Sequence, residues 1–146
     1  MGRNATAYEA DYAGWVHEQA ELLRSGALSD LDAANLAEEL DDMGRSIRRE
    51  LKNRLAVLIM HLLKWQYQPG FRSTSWSGTI REQRQQVVDL LDESPSLRPT
   101  VSRALTHFYR LGRAKAEAET GLPEATFPAD CPFTSTQILA EDFLPE

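Results

Sequence analysis

One row of apolar residues with helical spacing constrains the fold of this chain more than any other feature. Its members are Leu36, Leu40, Met43, Ile47, Leu51, Leu55, Leu58, Leu62 and Trp65. The eight steps between them cover 29 residues, a mean spacing near the 3.6 residues of one α-helical turn. The row therefore predicts one continuous amphipathic helix whose apolar face packs into a core.

The residues that flank this row predict where the helix begins and ends. Ser29 is a candidate N-cap, and Asp30 and Asp32 would lie in the first turn, where the helix dipole favours acidic side chains. The Pro69-Gly70 pair stops the helix at its other end. These signals predict a helix over about residues 30–67.

The predicted length of this helix has a structural consequence. At 1.5 Å per residue it would be roughly 55 Å long, and Gly44 within it would cost about 1 kcal/mol relative to alanine without breaking it. Because this length exceeds the width of a compact domain of 146 residues, we expect one end to project, to bend or to pack against a second copy.

Helical spacing and capping signals predict the remaining elements. A first helix is expected over Tyr8–Leu23, and a third behind a capping-box pattern at Thr79–Glu82. A fourth would run from Ser94–Ser96 to Gly121, and a short last helix would cover Gln137–Phe143. Since no segment has the alternation of a β-strand, we predict an all-α, four-helix-type bundle in a single domain, residues 1–146.

Composition narrows the class of protein. No run of 18 apolar residues is present, and the polar N-terminus does not resemble a signal peptide, so no membrane association is predicted. The single cysteine, Cys131, excludes an internal disulfide and suits a reducing compartment, so we expect a cytoplasmic protein. No motif for a cofactor, a metal or nucleophilic catalysis is present, and no cofactor is predicted.

Five segments of the chain are distinctive and stand in a fixed order: LLRSGALSDLDAANLAEELDDMGRS, RELKNRLAVLIMHLLKWQYQP, SWSGTIREQR, SPSL and FPADCPFTSTQIL. Together they resemble the bacterial family called domain of unknown function 29. The resemblance covers nearly the whole chain and implies a bacterial, all-helical single domain of undescribed function, without catalytic residues to transfer. It also argues against N-terminal myristoylation, a eukaryotic modification whose short pattern Met1–Thr6 matches.

Charge is distributed unevenly along the chain. The net charge is −6, but residues 1–44 carry −8, residues 45–115 carry +9 and residues 116–146 carry −7. Such asymmetry is typical of a protein with an anionic partner. Alternatively, the acidic ends fold over the basic middle and neutralise it.

A basic row lies on the predicted long helix opposite its apolar row. It consists of Arg45, Arg48, Arg49 and Lys52, and Lys64, Arg72 and Arg84 would extend it around the turn. The row is either a solvated face with ion pairs such as Asp41–Arg45, or a contact surface for an acidic protein or a phosphorylated ligand. Nearby acidic residues disfavour a long polyanion, so nucleic-acid binding is a weaker alternative.

A second group of polar residues borders the apolar row. Glu50 and Arg54 are spaced for an ion pair, and His61 follows two turns later on the same edge. Such groups usually bond to a neighbouring helix, but they could also line a ligand or enzymatic pocket in which His61 titrates near neutral pH. The spacing lacks the Glu-x-x-His pattern of metal-binding bundles, so no metal site is predicted.

The turn after the long helix is rich in aromatic residues. Trp65 falls within the apolar row, and Phe71 and Trp76 are expected to fold back onto it and to lock the turn rather than to form a binding surface. Together these observations favour a non-enzymatic interaction module that acts through the long helix. Its partner would be another protein, a second copy of the chain or an anionic ligand.

Overall fold

The computed structural model describes residues 7–146, and all regular structure in this range is helical. The α-helices are α1 (Tyr12–Ser25), α2 (Ala33–Tyr67), α3 (Thr74–Glu93), α4 (Arg98–Arg103), α5 (Leu105–Thr120) and α6 (Ser135–Leu139). Short 3₁₀ turns precede α2, α3, α4 and α6. The all-α fold with one long central helix is confirmed, whereas the Met1–Thr6 myristoylation pattern lies outside the described residues.

Helix α2 continues through Gly44 without interruption for 35 residues, as predicted. Its start differs from the prediction, because Ser29 lies in a 3₁₀ turn, Leu28–Asp30. Asp32 takes the N-cap position instead: its carbonyl oxygen accepts from the Leu36 amide at 3.0 Å, and its Oδ1 from the Asn35 amide at 3.5 Å.

The third helix begins earlier than its capping-box pattern suggested. Ser73 is the N-cap of α3 and accepts a hydrogen bond from the Trp76 amide at 3.2 Å. Thr79 therefore lies inside the helix, where its hydroxyl donates to the Ser75 carbonyl at 3.0 Å.

The predicted fourth helix is divided in two. Ala104 separates α4 from α5, and Gly121 closes α5 in the left-handed conformation with φ 70°. A capping box between Thr134 and Gln137 starts the last helix, α6, which covers Ser135–Leu139 instead of the predicted Gln137–Phe143.

The described chain divides into two compact units, one up to Ile47 and one over Arg48–Glu146. In the first, α1 and the start of α2 form an antiparallel hairpin. The Trp15 indole donates to Asp32 Oδ2 at 3.0 Å, and the Asp32 amide donates to Gln19 Oε1 at 2.8 Å. The hydroxyls of Tyr8 and Tyr12 donate to the two carboxylate oxygens of Glu39 at 2.7 and 2.6 Å.

The second unit is a helical bundle with a continuous apolar core. The core contains the buried side chains of α2 between Leu51 and Leu63, together with residues of α3, α4, α5 and α6. Helix α5 packs on α2 at Gly112, where a Cβ atom would lie 2.7 Å from Ile59 Cγ2 and 3.0 Å from the Ala56 carbonyl oxygen. The absent side chain thus permits the close contact of these two helices.

The apolar row of α2 is buried over only part of its length. Its members from Leu51 to Leu62 have at most 1% of their surface exposed, as predicted. The prediction that the earlier members are core residues is wrong, since Leu40, Met43 and Ile47 are 65%, 61% and 39% exposed. The reason is that α1 packs on the flank of α2 that carries Asp32 and Glu39.

The aromatic turn is locked differently from the prediction. Phe71 is exposed rather than folded back. Arg72 takes that place: its Nε donates to the Trp65 carbonyl at 2.7 Å, and its guanidinium lies 5.1 Å from the Trp65 ring centroid. Lys64 Nζ lies 4.6 Å from the centroid of the Trp76 ring, so cation–π contacts hold this corner.

Candidate functional site

The basic row predicted on α2 begins with Arg45, which has an ion-pair partner in its own helix. Its guanidinium bonds to Asp42, one residue beyond the Asp41 partner that the sequence suggested. The hydrogen bond from Arg45 and the charge of Asp42 raise the pKa of the arginine. Arg45 is therefore partly neutralised.

The other three members of the basic row are unpaired. Arg48 and Arg49 are exposed and Lys52 is half-buried. Within residues 7–146, none of the three makes a side-chain hydrogen bond or an ion pair. Because α2 rises 1.5 Å per residue, these cations occupy about 6 Å of one helix.

Lys64 and Arg72, expected to extend the row, have partners elsewhere. Lys64 is buried, and its Nζ lies 3.5 Å from Glu119 Oε1. Arg72 bonds to the Trp65 carbonyl and, through Nη2, to the Glu146 carbonyl at 2.8 Å. Both cations thus serve the packing of the bundle.

Arg84 is the most enclosed of the candidate cations, with 4% of its surface exposed. Its Nε donates to the Ile138 carbonyl at 2.8 Å, Nη1 to the Glu141 carbonyl at 3.0 Å and Nη2 to the Phe143 carbonyl at 2.9 Å. Burial lowers its pKa and Asp142 opposes that effect, but a guanidinium stays charged in proteins. Arg84 therefore fastens the C-terminal segment to α3.

The three residues predicted to border a pocket are satisfied locally. Arg54 Nε bonds to Glu50 Oε1 at 3.1 Å, an i,i+4 pair within α2. The His61 ring donates from Nδ1 to the Val57 carbonyl at 2.9 Å, because a carbonyl can only accept. Desolvation lowers the pKa of His61, and Lys64 adds to this effect while Glu119 opposes it.

Three cavities in Arg48–Glu146 are lined by residues other than these. An open groove of about 660 Å³ runs along α3 between Gly78 and Asp89 and reaches Leu139 and Glu141. Two smaller cavities lie nearby in the same unit, one beside Arg81 and Arg84 and the other beside Gly121. None of these three is lined by Glu50, Arg54 or His61. In the part of the chain described, no group of His, Cys, Asp and Glu side chains is arranged to hold a metal ion.

The hairpin of the first unit carries a surface that sequence reasoning missed. Tyr12, Val16 and Leu23 of α1 are 51%, 43% and 50% exposed. We call these three residues, with Leu40, Met43 and Ile47 of α2, the apolar face. Their i, i+4, i+11 spacing on α1 is visible in the sequence, but spacing alone does not distinguish an exposed apolar row from a buried one.

The described chain is thus an all-helical protein whose candidate sites are exposed faces of α1 and α2. It belongs to the family described as Domain of unknown function DUF29, whose model matches residues 7–144. This membership confirms the resemblance found in the sequence. No curated protein and no solved structure matches the chain. No helix of residues 7–146 has both the length and the apolar character that crossing a membrane requires.

Proposed function

We propose that this protein is a non-enzymatic interaction module that binds an acidic surface of a partner protein through the basic row of α2. The proposal rests on three cations that have no partner among residues 7–146, namely Arg48, Arg49 and Lys52. The turns that follow them, Leu55–Leu63, are held in the core. The row is therefore presented by a rigid helix, which lowers the entropy cost of binding.

The chemistry of the row favours a protein over a nucleic acid. Two arginines can each bind a carboxylate through two parallel hydrogen bonds, and arginine is enriched in protein interfaces. A long polyanion would also meet Glu38, Asp41 and Asp42 on the preceding turns, in a chain of net charge −6. The alternative of a pocket lined by Glu50, Arg54 and His61 gains no support from the three cavities described above, since none of the three is lined by these residues.

Charge reversal of the row tests the proposal. A triple variant carries Arg48→Glu, Arg49→Glu and Lys52→Glu. Affinity capture from cells that produce the chain, with quantitative mass spectrometry, identifies the partners that the variant loses. Calorimetry with the purified partner should then show a Kd increase of about 100-fold or more, because each cation would be replaced by a repelling charge.

A matched control separates the position of the charges from their number. Arg81→Glu, Arg110→Glu and Lys115→Glu make the same change of charge at exposed sites on α3 and α5. The control should retain the partner. The proposal is wrong if both triple variants bind the same partners equally well.

The same variants test the alternative that the basic row binds nucleic acid. Fluorescence anisotropy with a DNA duplex of about 20 base pairs should show no saturable binding at physiological salt. Binding with a steep salt dependence that disappears in the Arg48, Arg49 and Lys52 variant alone would reassign the row to nucleic acid.

A further inference from the structure

We propose that the apolar face of the hairpin pairs with the same face of a second copy, so that two hairpins form a four-helix interface. The proposal does not depend on the proposed function. It rests on the six side chains of the apolar face, and none of these six belongs to the basic row.

The hairpin holds most of the exposed large apolar side chains of the described residues. Nine large apolar side chains are exposed within residues 7–146, and seven of them lie between Tyr12 and Ile47. The largest apolar patch on a monomeric protein is typically about 300–600 Å², and such a patch is often an interaction site.

The exposed side chains of the two helices lie on one side of the hairpin. The helices run antiparallel, because Tyr8 meets Glu39 whereas Gln19 meets Asp32. At 100° per residue, the apolar row of α1 is rotated about 50°, and that of α2 about 75°, from the flank by which each helix contacts the other. Both rotations are in the direction of increasing residue number. In antiparallel helices, rotations in this same sense bring both rows to the same side of the hairpin, so the face is continuous.

The hairpin has too little core of its own. Of its described residues, only Trp15 and Gln19 are buried. Units of about 40 residues usually need oligomerisation, a metal or disulfides to be stable, and short helices depend on tertiary packing of their apolar side. A further apolar layer against the face would supply that packing.

A second copy fits this face in area, charge and shape. The six exposed side chains offer on the order of 100 Å² each, hence about 600 Å², near the roughly 800 Å² that each partner buries in a standard interface. All six are uncharged, so twofold pairing places no like charges at the centre. Ala37 and Gly44, beside the α2 row, allow a second helix to approach closely.

Light scattering coupled to size exclusion tests the pairing. The wild-type chain should have twice its mass of 16.5 kDa. A variant with Leu40→Glu and Met43→Glu should be a monomer, with a dimer dissociation constant raised at least about 100-fold. Phe71→Glu, an equally exposed apolar site outside the hairpin, should remain a dimer. A wild-type monomer at about 100 µM, or a dimer that survives both glutamates, overturns the proposal.

A second measurement covers the case in which the glutamate variant fails to fold. In a Cys131→Ser background, Met43→Cys should form an intermolecular disulfide under mild oxidation, whereas Arg110→Cys should not. Equal cross-linking at both positions contradicts the pairing. The variant with Arg48, Arg49 and Lys52 changed to glutamate should stay dimeric, so a failed dimer test and a failed basic-row test are distinguishable.

Discussion

Arginine side chains fasten the irregular segments of Arg48–Glu146 to its helices. Arg84 donates to three carbonyls of the C-terminal segment. Arg113 Nη2 donates to the carbonyls of Glu124 and Phe127 at 3.0 and 2.9 Å. Carbonyls outside regular structure lack the backbone amide donor that a helix would provide, and a guanidinium offers five N–H donors in a fixed plane. One arginine can therefore donate hydrogen bonds to several backbone carbonyls of one irregular segment.

Removal of the Arg84 guanidinium should destabilise the fold strongly. Arg84→Met keeps the aliphatic stem but leaves three carbonyls without their donor, so we expect the free energy of unfolding to fall by about 2–4 kcal/mol. Urea denaturation measures this change. Arg81→Met, at an exposed site one turn earlier, should change stability by less than about 0.5 kcal/mol. Similar losses in the two variants would contradict the fastening role.

The role of Arg84 could not be read from the sequence. Its three acceptors lie 54 to 59 residues away along the chain. The sequence around Arg84 does not show which distant backbone carbonyls lack a hydrogen-bond donor in the folded chain. The sequence showed only a cation near other cations, which left a solvated face and a binding surface as alternatives. The Glu50–Arg54 pair, in contrast, was predictable because i,i+4 spacing within a helix is a local property.

At the scale of elements, α2 illustrates what local chemistry determines. Its continuity follows from a period of 3.6 residues and its C-terminal end from Pro69, and both features are visible in the sequence. Which part of its apolar row is covered depends on where other helices pack. Because α1 contacts the Glu39 flank, Leu40, Met43 and Ile47 remain exposed, and no spacing rule could show this.

The contact of α5 with α2 gives a test of element packing. Gly112→Ala places a methyl group 2.7 Å from Ile59 Cγ2 and 3.0 Å from the Ala56 carbonyl, so the helices must separate. We expect a net loss of about 1–3 kcal/mol, despite the higher helix propensity of alanine. Gly78→Ala in α3 meets nothing within 4 Å and should stabilise by about 0.5–1 kcal/mol. Thermal and urea unfolding measure both, and a stabilising Gly112→Ala would refute the close contact.

At the scale of the whole molecule, the two compact units differ in what holds them. The unit from Arg48 contains the continuous apolar core, with Leu55, Leu58 and Ile59 fully buried. The hairpin has hydrogen bonds at Asp32 and Glu39 and a cluster of three rings, but buries only Trp15 and Gln19 among its described residues. The free energy of unfolding should thus be higher for the unit from Arg48 than for a hairpin without a partner.

Hydrogen exchange at two protein concentrations tests this difference together with the pairing of hairpins. Dimerisation stabilises only what it covers, so amides of α1 should exchange at least about tenfold more slowly at 100 µM than at about 1 µM. Amides of Leu55–Leu63 should exchange slowly and equally at both. The Leu40→Glu, Met43→Glu variant should lose the concentration dependence in α1, because the glutamates carry charge into the paired apolar faces. Exchange in α1 that is independent of concentration, and as slow as in Leu55–Leu63, would mean that the hairpin is stable without a second copy.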